Sequence, residues 1–277
     1  SLAEQEADQL QQLNAIFAVG SRPAVLADNS FVLKHMPSMP KALAQAFHVI
    51  KDIKTDAFDA GALSIVVGAT DTQEGSLHLV DNFIENSSSH GIYLAYRARN
   101  LVFQNTSILK SAKSDVMFFD MTADTHDIYF YNTYTERANA NFPSFRIQNS
   151  VDLKGFAIRG GVLKGSNNTL SNEDNVGIFL LNANNAATKP IEISDLKIEN
   201  FGTGIGIYSP FAVDVRAFLI IKDITFCSLV HGLAARTETA GILPLFDCKF
   251  LGVTNRTNGW GYASAARVAE VTYSLAT

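Results

Sequence analysis

Leu101-Val-Phe-Gln-Asn105-Thr-Ser-Ile108 and Ile128-Tyr-Phe-Tyr-Asn132-Thr-Tyr-Thr135 carry the reading of this chain. Each alternates inward apolar and outward positions, reaches an Asn, skips two residues and turns inward again. The pattern is apolar-x-apolar-x-(Asp/Asn/Gly)-x-x-apolar. It recurs at Leu77–Ile84, Phe156–Leu163, Ile191–Ile198, Leu219–Phe226 and Leu243–Phe250, and more loosely at Ala24–Phe31 and His48–Thr55. The anchors from Asp28 to Asp247 lie 24, 29, 24, 27, 28, 35, 28 and 24 residues apart. After most anchors comes a second apolar run, such as Gly91-Ile-Tyr-Leu94, Gly177-Ile-Phe-Leu180 or Gly204-Ile-Gly-Ile207.

Repetition at a fixed period is the mark of a solenoid. Period-two alternation makes each run a strand with one face inward. Asp, Asn and Gly tolerate the left-handed backbone, so the anchor is a tight corner. A flat sandwich places strands every 8–12 residues but does not demand corner residues in one recurring order. A leucine-rich repeat needs a longer Leu pattern and a return segment that is not present here. On these residues the chain resembles the right-handed parallel β-helix proteins of the pectate-lyase-like group. The likeness covers residues 24–253. It implies an all-β, single-stranded right-handed parallel β-helix of eight or nine coils, about 40 Å long at ~4.8 Å per coil.

Residues 1–23 are read as an N-terminal cap. Ala3, Ala7, Leu10, Leu13 and Phe17 share one helical face, and Glu4, Glu6 and Asp8 sit near the favourable end of the dipole. A helix laid across an open stack covers its unpaired edge. Residues 254–277, with Gly259-Trp-Gly-Tyr262 and a strand-like run at Val268–Tyr273, are read as a closing segment.

The 277 residues are 47% apolar and 10% aromatic with net charge −5, which excludes disorder. A pI near 5.7 argues against a nucleic-acid partner. No apolar run is long enough to span a membrane, so no membrane partner is expected. Ser1 opens the chain without Met, which is read as processing or trimming. Cys227 and Cys248 sit out of register on adjacent coils and are read as free thiols.

Candidate sites come from the outward columns. Tyr129, Tyr131 and Arg159 on neighbouring coils combine flat apolar rings with a guanidinium, which suits sugar rings and carboxylates. Glu85 and Glu136, with Lys110, Arg137 and Lys164, form a second patch. Their backbones, two coils apart, are about 9–10 Å apart, near the carboxylate spacing of an inverting glycosidase. A mixed-charge ladder worth little is the competing reading. The candidate catalytic set is Glu85, Glu136, Arg137 and Arg159; the candidate substrate-binding set is Tyr129, Tyr131, Arg146 and Lys164. Asp120, Asp124, His126 and Asp127 cluster before a strand. Asp124-Thr-His126-Asp127 resembles the Asp-Pro-His-Asp motif of alginate C5-epimerases with Thr125 replacing Pro, and is read first as loop capping. The polar stretches at 164–176 and 182–189 place the functional face around residues 129–185.

Polygalacturonase motifs are absent; Ser89-His-Gly91 and Val230-His-Gly232 are fragments. Within that group the chain looks more like a phage tailspike or capsule-depolymerase domain than a secreted pectinase. That resemblance implies a carbohydrate-active protein that binds and cleaves a long polysaccharide, as lyase or glycoside hydrolase. It also implies a homotrimer at an extracellular or virion surface. No metal ligand is assigned, and no cofactor is expected unless a lyase activity brings Ca2+ with it. The alternatives are a noncatalytic β-helix adhesin or binding module and, third, a polysaccharide C5-epimerase.

Overall fold

The computed structural model describes residues 31–34, 49–51, 61–67, 76–122, 125–148, 154–170, 174–181, 191–208, 219–236, 242–259 and 269–273. These residues form twenty strands and contain no helix. Every pairing is parallel, and the pairings sort into three ladders.

The first ladder stacks β4 (Leu77–Val80), β7 (Arg99–Gln104) and the first halves of β10 (His126–Glu136), β12 (Lys154–Lys164) and β14 (Ile191–Glu199). It continues through β16 (Leu219–Lys222), β18 (Ile242–Phe246) and β20 (Ala269–Tyr273). The second ladder holds β2 (Val49–Lys51), β5 (Phe83–Glu85), β8 (Ser107–Leu109) and the second halves of β10, β12 and β14. It ends on the starts of β17 (Thr225–Arg236) and β19 (Lys249–Gly259). The third ladder holds β1 (Phe31–Lys34), β3 (Gly61–Val67), β6 (His90–Tyr96) and β9 (Val116–Phe119). β11 (Phe145–Ile147), β13 (Val176–Leu181), β15 (Thr203–Tyr208) and the remainders of β17 and β19 follow. The result is a parallel β-solenoid of the right-handed type, with five complete turns between Leu77 and Tyr208.

The anchors do what their residue types suggest. Asp81, Asn105, Asn132, Gly160, Asp195, Asp223 and Asp247 all have φ between 51° and 75°, the left-handed region. Their side chains also stack. Asn105 donates to Asp81 and Asn132 donates to Asn105, both at 2.9 Å. Gly161 follows an anchor at φ 112°, and a Cβ there would lie 2.0 Å from the Thr133 carbonyl oxygen. Only glycine fits that position.

Inside, the register lines up like residues. Leu79, Phe103, Phe130, Ile158, Ile193, Ile221 and Leu245 form one buried column of the first ladder. Phe103 and Phe130 stack with centroids 4.6 Å apart, and Phe130 meets Phe145 edge-on at 5.2 Å. Such offset and edge-on pairs each add about 0.5–1.5 kcal/mol beyond burial.

Tyr93, Met117 and Phe179 point outward from the third ladder yet are buried within the chain, at 3%, 7% and 0% exposure. The strand-like run expected at Val268–Tyr273 contains β20, which pairs with β18, and β19 extends through Gly259. The helix expected over residues 3–18 lies outside the described residues, and the full coil number depends on stretches that do too. No helix among the described residues is long and apolar enough to cross a membrane.

Candidate functional site

The outer face of the first ladder gathers the richest set of side chains. Gln104, Tyr131, Arg159, Ser194 and Lys222 share one column; His78, Val102, Tyr129, Ala157 and Glu192 share its neighbour. Tyr129 and Tyr131 are both on β10, their rings nearly parallel at 21° with centroids 6.2 Å apart. Arg159 pairs in register with Tyr131 on the next coil. The three side chains expected together are together.

Arg159 reaches diagonally to Glu192 at 2.5 Å, and Lys222 meets the other carboxylate oxygen at 3.2 Å. The Ser194 hydroxyl donates to Glu192 at 3.0 Å. Partial burial pushes the Glu192 carboxyl up, but Arg159, Ser194 and Lys222 outweigh it and hold it below the usual carboxylate range. Glu192 and Lys222 join Arg159 in a charged cluster that sequence reasoning represented by Arg159 alone. Their signal was diagonal neighbourhood across strands, two residues out of register.

The start of β10 adds a polar group. His126 Nδ1 lies 3.0 Å from one Asp127 oxygen, and the Tyr129 hydroxyl donates to the other at 2.8 Å. Partial burial, and then the bond to Asp127, push the Tyr129 hydroxyl up to about 12. Tyr129 therefore stays protonated in ordinary solution. Farther along the face, His78 Nε2 is 3.2 Å from Gln104.

The second patch is a ladder of ion pairs. Glu85, Leu109, Glu136, Lys164, Glu199, Cys227 and Leu251 share one outward column of the second ladder. Lys110 is 3.9 Å from Glu85, and Lys164 is 3.3 Å from Glu136. The Tyr134 hydroxyl donates to Glu136 at 2.7 Å and, with Lys164, holds that carboxyl low. Two rungs separate Glu85 from Glu136, about 9–10 Å of backbone, with Leu109 between them.

Arg137, expected to face outward beside Glu136, does not. Its side chain is wholly buried and meets Asp115, also wholly buried, at 3.2 Å. It donates as well to the Lys113 carbonyl and, at 3.4 Å, to Asn139. Ser144 donates to the second Asp115 oxygen at 2.7 Å, and Thr135 lies 2.9 Å from Ser144. The physical reason is the longer connection after β10. The chain does not turn at residue 137 in the left-handed conformation used by Asn86, Lys110 and Asn200 on other coils. The guanidinium instead reaches back one coil. Arg146 is on the third ladder between Met117 and Phe179, on a different face from the tyrosines.

Of the two long polar stretches, residues 165–170 fold onto the next corner. Asn175, 1% exposed, donates to the carbonyls of Asn167 and Thr169 at 2.9 and 2.7 Å, and Asn200 donates to the Gly165 carbonyl at 3.0 Å. The stretch 182–189 lies outside the described residues. Cys227 and Cys248 are free thiols. Among the described residues no group of three or more His, Cys, Asp or Glu side chains is placed to hold a metal ion, so no site is assigned to the calcium a lyase would bring. No protein-family model, curated protein or solved structure matches this chain.

Proposed function

We propose that this protein binds an extended acidic polysaccharide along the outer face of its first ladder and cleaves it by β-elimination. The observation carrying the reading is the Tyr129–Tyr131 pair set one coil from Arg159, Glu192 and Lys222. Parallel rings offer flat apolar surface to pyranose rings, and the neighbouring cations suit carboxylates.

Elimination is favoured over hydrolysis because a glycosidase needs a carboxylic acid that keeps its proton near neutrality. Glu136 and Glu192 are both held low by their partners, the opposite of that requirement. A noncatalytic binding module is the second reading, favoured by the ion pairs that already engage Arg159, Glu192 and Lys222. Trimeric assembly at an extracellular or virion surface goes with either reading.

The test is affinity electrophoresis on acidic and neutral polysaccharides, followed by product analysis. Retarded migration on an acidic polymer, lost in Tyr131→Ala and Arg159→Ala, supports the reading. The ultraviolet absorbance of an unsaturated uronate marks elimination; new reducing ends without it mark hydrolysis. Retardation with neither product leaves the binding module. No retardation on any polymer refutes the proposal.

A further inference from the structure

The third ladder carries polar side chains that the first-ladder reading does not use. His90 opens β6, and the Gly91 N–H beside it donates to the Ser114 carbonyl at 3.1 Å, so His90 and Ser114 are neighbours on successive coils. One coil further, Arg146 is in register with Met117, which is in register with Tyr93. The His90 ring packs against Tyr93, with centroids 5.9 Å apart. His90 and Ser114 are buried and Arg146 is half-buried. His90 Nδ1, Ser114 Oγ and Arg146 Nε are all shielded from solvent, and among the described residues none of the three atoms has a hydrogen-bond partner. Buried polar groups are nearly always paired, so three such atoms on successive coils require an explanation. Arg146 also belongs to none of the ion pairs among the described residues, although its charge acts on the His90 ring. Asp115, whose carbonyl accepts from Ile92 near His90, has its carboxylate engaged by Arg137 and Ser144.

Donor and acceptor roles define what fits there. Arg146 Nε–H only donates and the Ser114 hydroxyl can donate, so both suit an anionic oxygen. His90 differs. Burial, with the Lys113, Arg137 and Arg146 charges around it, pulls the ring down to about 3 and keeps it neutral. The ring bonds the Ser114 backbone, and a neutral ring that donates to a carbonyl from one nitrogen has a lone pair on the other. Nδ1 therefore accepts. A ligand that satisfies all three atoms carries a negative oxygen and an O–H at once. We propose that His90, Ser114 and Arg146 form a binding site for a protonated tetrahedral oxyanion, the phosphate group of inorganic phosphate or of an organic monoester. Its P–O⁻ oxygens accept from Arg146 and Ser114, and its P–OH donates to His90. Sulfate has the same shape but no proton near neutrality, so it would set an acceptor against Nδ1. Tyr93 and Met117 wall the site with apolar surface, and the half-exposed side chain of Arg146 marks the way in. The site is on a different ladder from Tyr129 and Tyr131 and does not depend on the polysaccharide reading.

The experiment titrates the full chain at neutral pH and constant ionic strength with inorganic phosphate and with glycerol phosphate, read by phosphorus NMR and by thermal unfolding. Sulfate is measured by competition. Phosphate is expected to bind and to raise the melting temperature, and sulfate to bind about 10-fold more weakly or worse, because it strands a buried acceptor. Binding of inorganic phosphate alone, or of both phosphates, supports the site and shows which source fills it. Ser114→Ala and Arg146→Met should each weaken phosphate by about 10-fold or more. Arg146→Lys keeps the charge but not the Nε–H; it should also bind more weakly while its circular dichroism and its melting without phosphate match the intact protein. His90→Gln offers a donor as well as an acceptor, so it should bring the affinities for phosphate and sulfate together. The proposal is overturned if the intact protein does not bind either phosphate at millimolar concentration, or if sulfate competes as tightly as phosphate binds. It is also overturned if a folded Arg146 or Ser114 variant binds phosphate as the intact protein does.

Discussion

Replacing Arg137 with Met tests whether the second corner is held by a buried ion pair or by an exposed surface charge. Both side chains of the Arg137–Asp115 pair are wholly buried, 3.2 Å apart, and Asp115 also accepts from Ser144 at 2.7 Å. Met fills much of the Arg volume but leaves a buried carboxylate without its counter-charge, which costs about 3–5 kcal/mol. In a chain of this size each kcal/mol moves the melting temperature by roughly 2–4 °C, so Arg137→Met should melt roughly 6–20 °C lower. An exposed Arg in an outward column would cost no more than about 1 kcal/mol. The double variant Arg137→Met/Asp115→Asn removes the orphaned charge and should recover part of the loss. The pH dependence carries a sign as well. Burial pushes the Asp115 carboxyl up, against the pull of Arg137 and Ser144. A group raised on folding contributes stability that is complete below its unfolded pKa and declines as pH rises toward its folded one. Loss of Arg137 pushes the carboxyl higher still, so the decline should reach to higher pH in the single variant and vanish in the double. The assay is thermal unfolding by circular dichroism across that pH series. A single variant melting within ~2 °C of the intact protein, or a double variant no better than the single, would refute the buried-pair account.

Two further outcomes follow from the same geometry. Asn105→Ala removes a side chain suited to φ 52° and breaks both stacked amide bonds of the corner, at a cost of about 1–3 kcal/mol, whereas Asn105→Gly keeps the backbone freedom and should cost less; chemical denaturation separates them. Glu136→Gln should change stability by under about 1 kcal/mol and leave polysaccharide cleavage intact, because its pair with Lys164 is on the exposed second ladder; a large loss of cleavage would return the site to that ladder.

The corners and the inner columns were legible because each demands a scarce property. A left-handed residue narrows the choice to Asp, Asn and Gly, so the anchors stand out at every coil. The second corner uses the same backbone but fills it with Asn86, Lys110, Asn200, Ser228 and Gly252, and the lysine and serine hide its period. Tyr129, Tyr131 and Arg159 could be placed together since parallel register needs only counting from the anchors. Arg137 could not, because its direction depends on how a longer connection turns. The buried outer side of the third ladder left a trace in near-continuous apolar runs such as Val176-Gly-Ile-Phe-Leu-Leu181, the pattern of strands covered on both faces. His126 and Asp127 sit next to each other in sequence, but their convergence with Tyr129 depends on the bend at residue 127.

The most direct test of the central claim is a crystal structure of the full chain with a polyuronate oligosaccharide. The account predicts sugar rings stacked against Tyr129 and Tyr131, with a carboxylate facing the Arg159 side of the first ladder. An oligosaccharide seated on the Glu85–Glu136 column of the second ladder, or on the third, would contradict it.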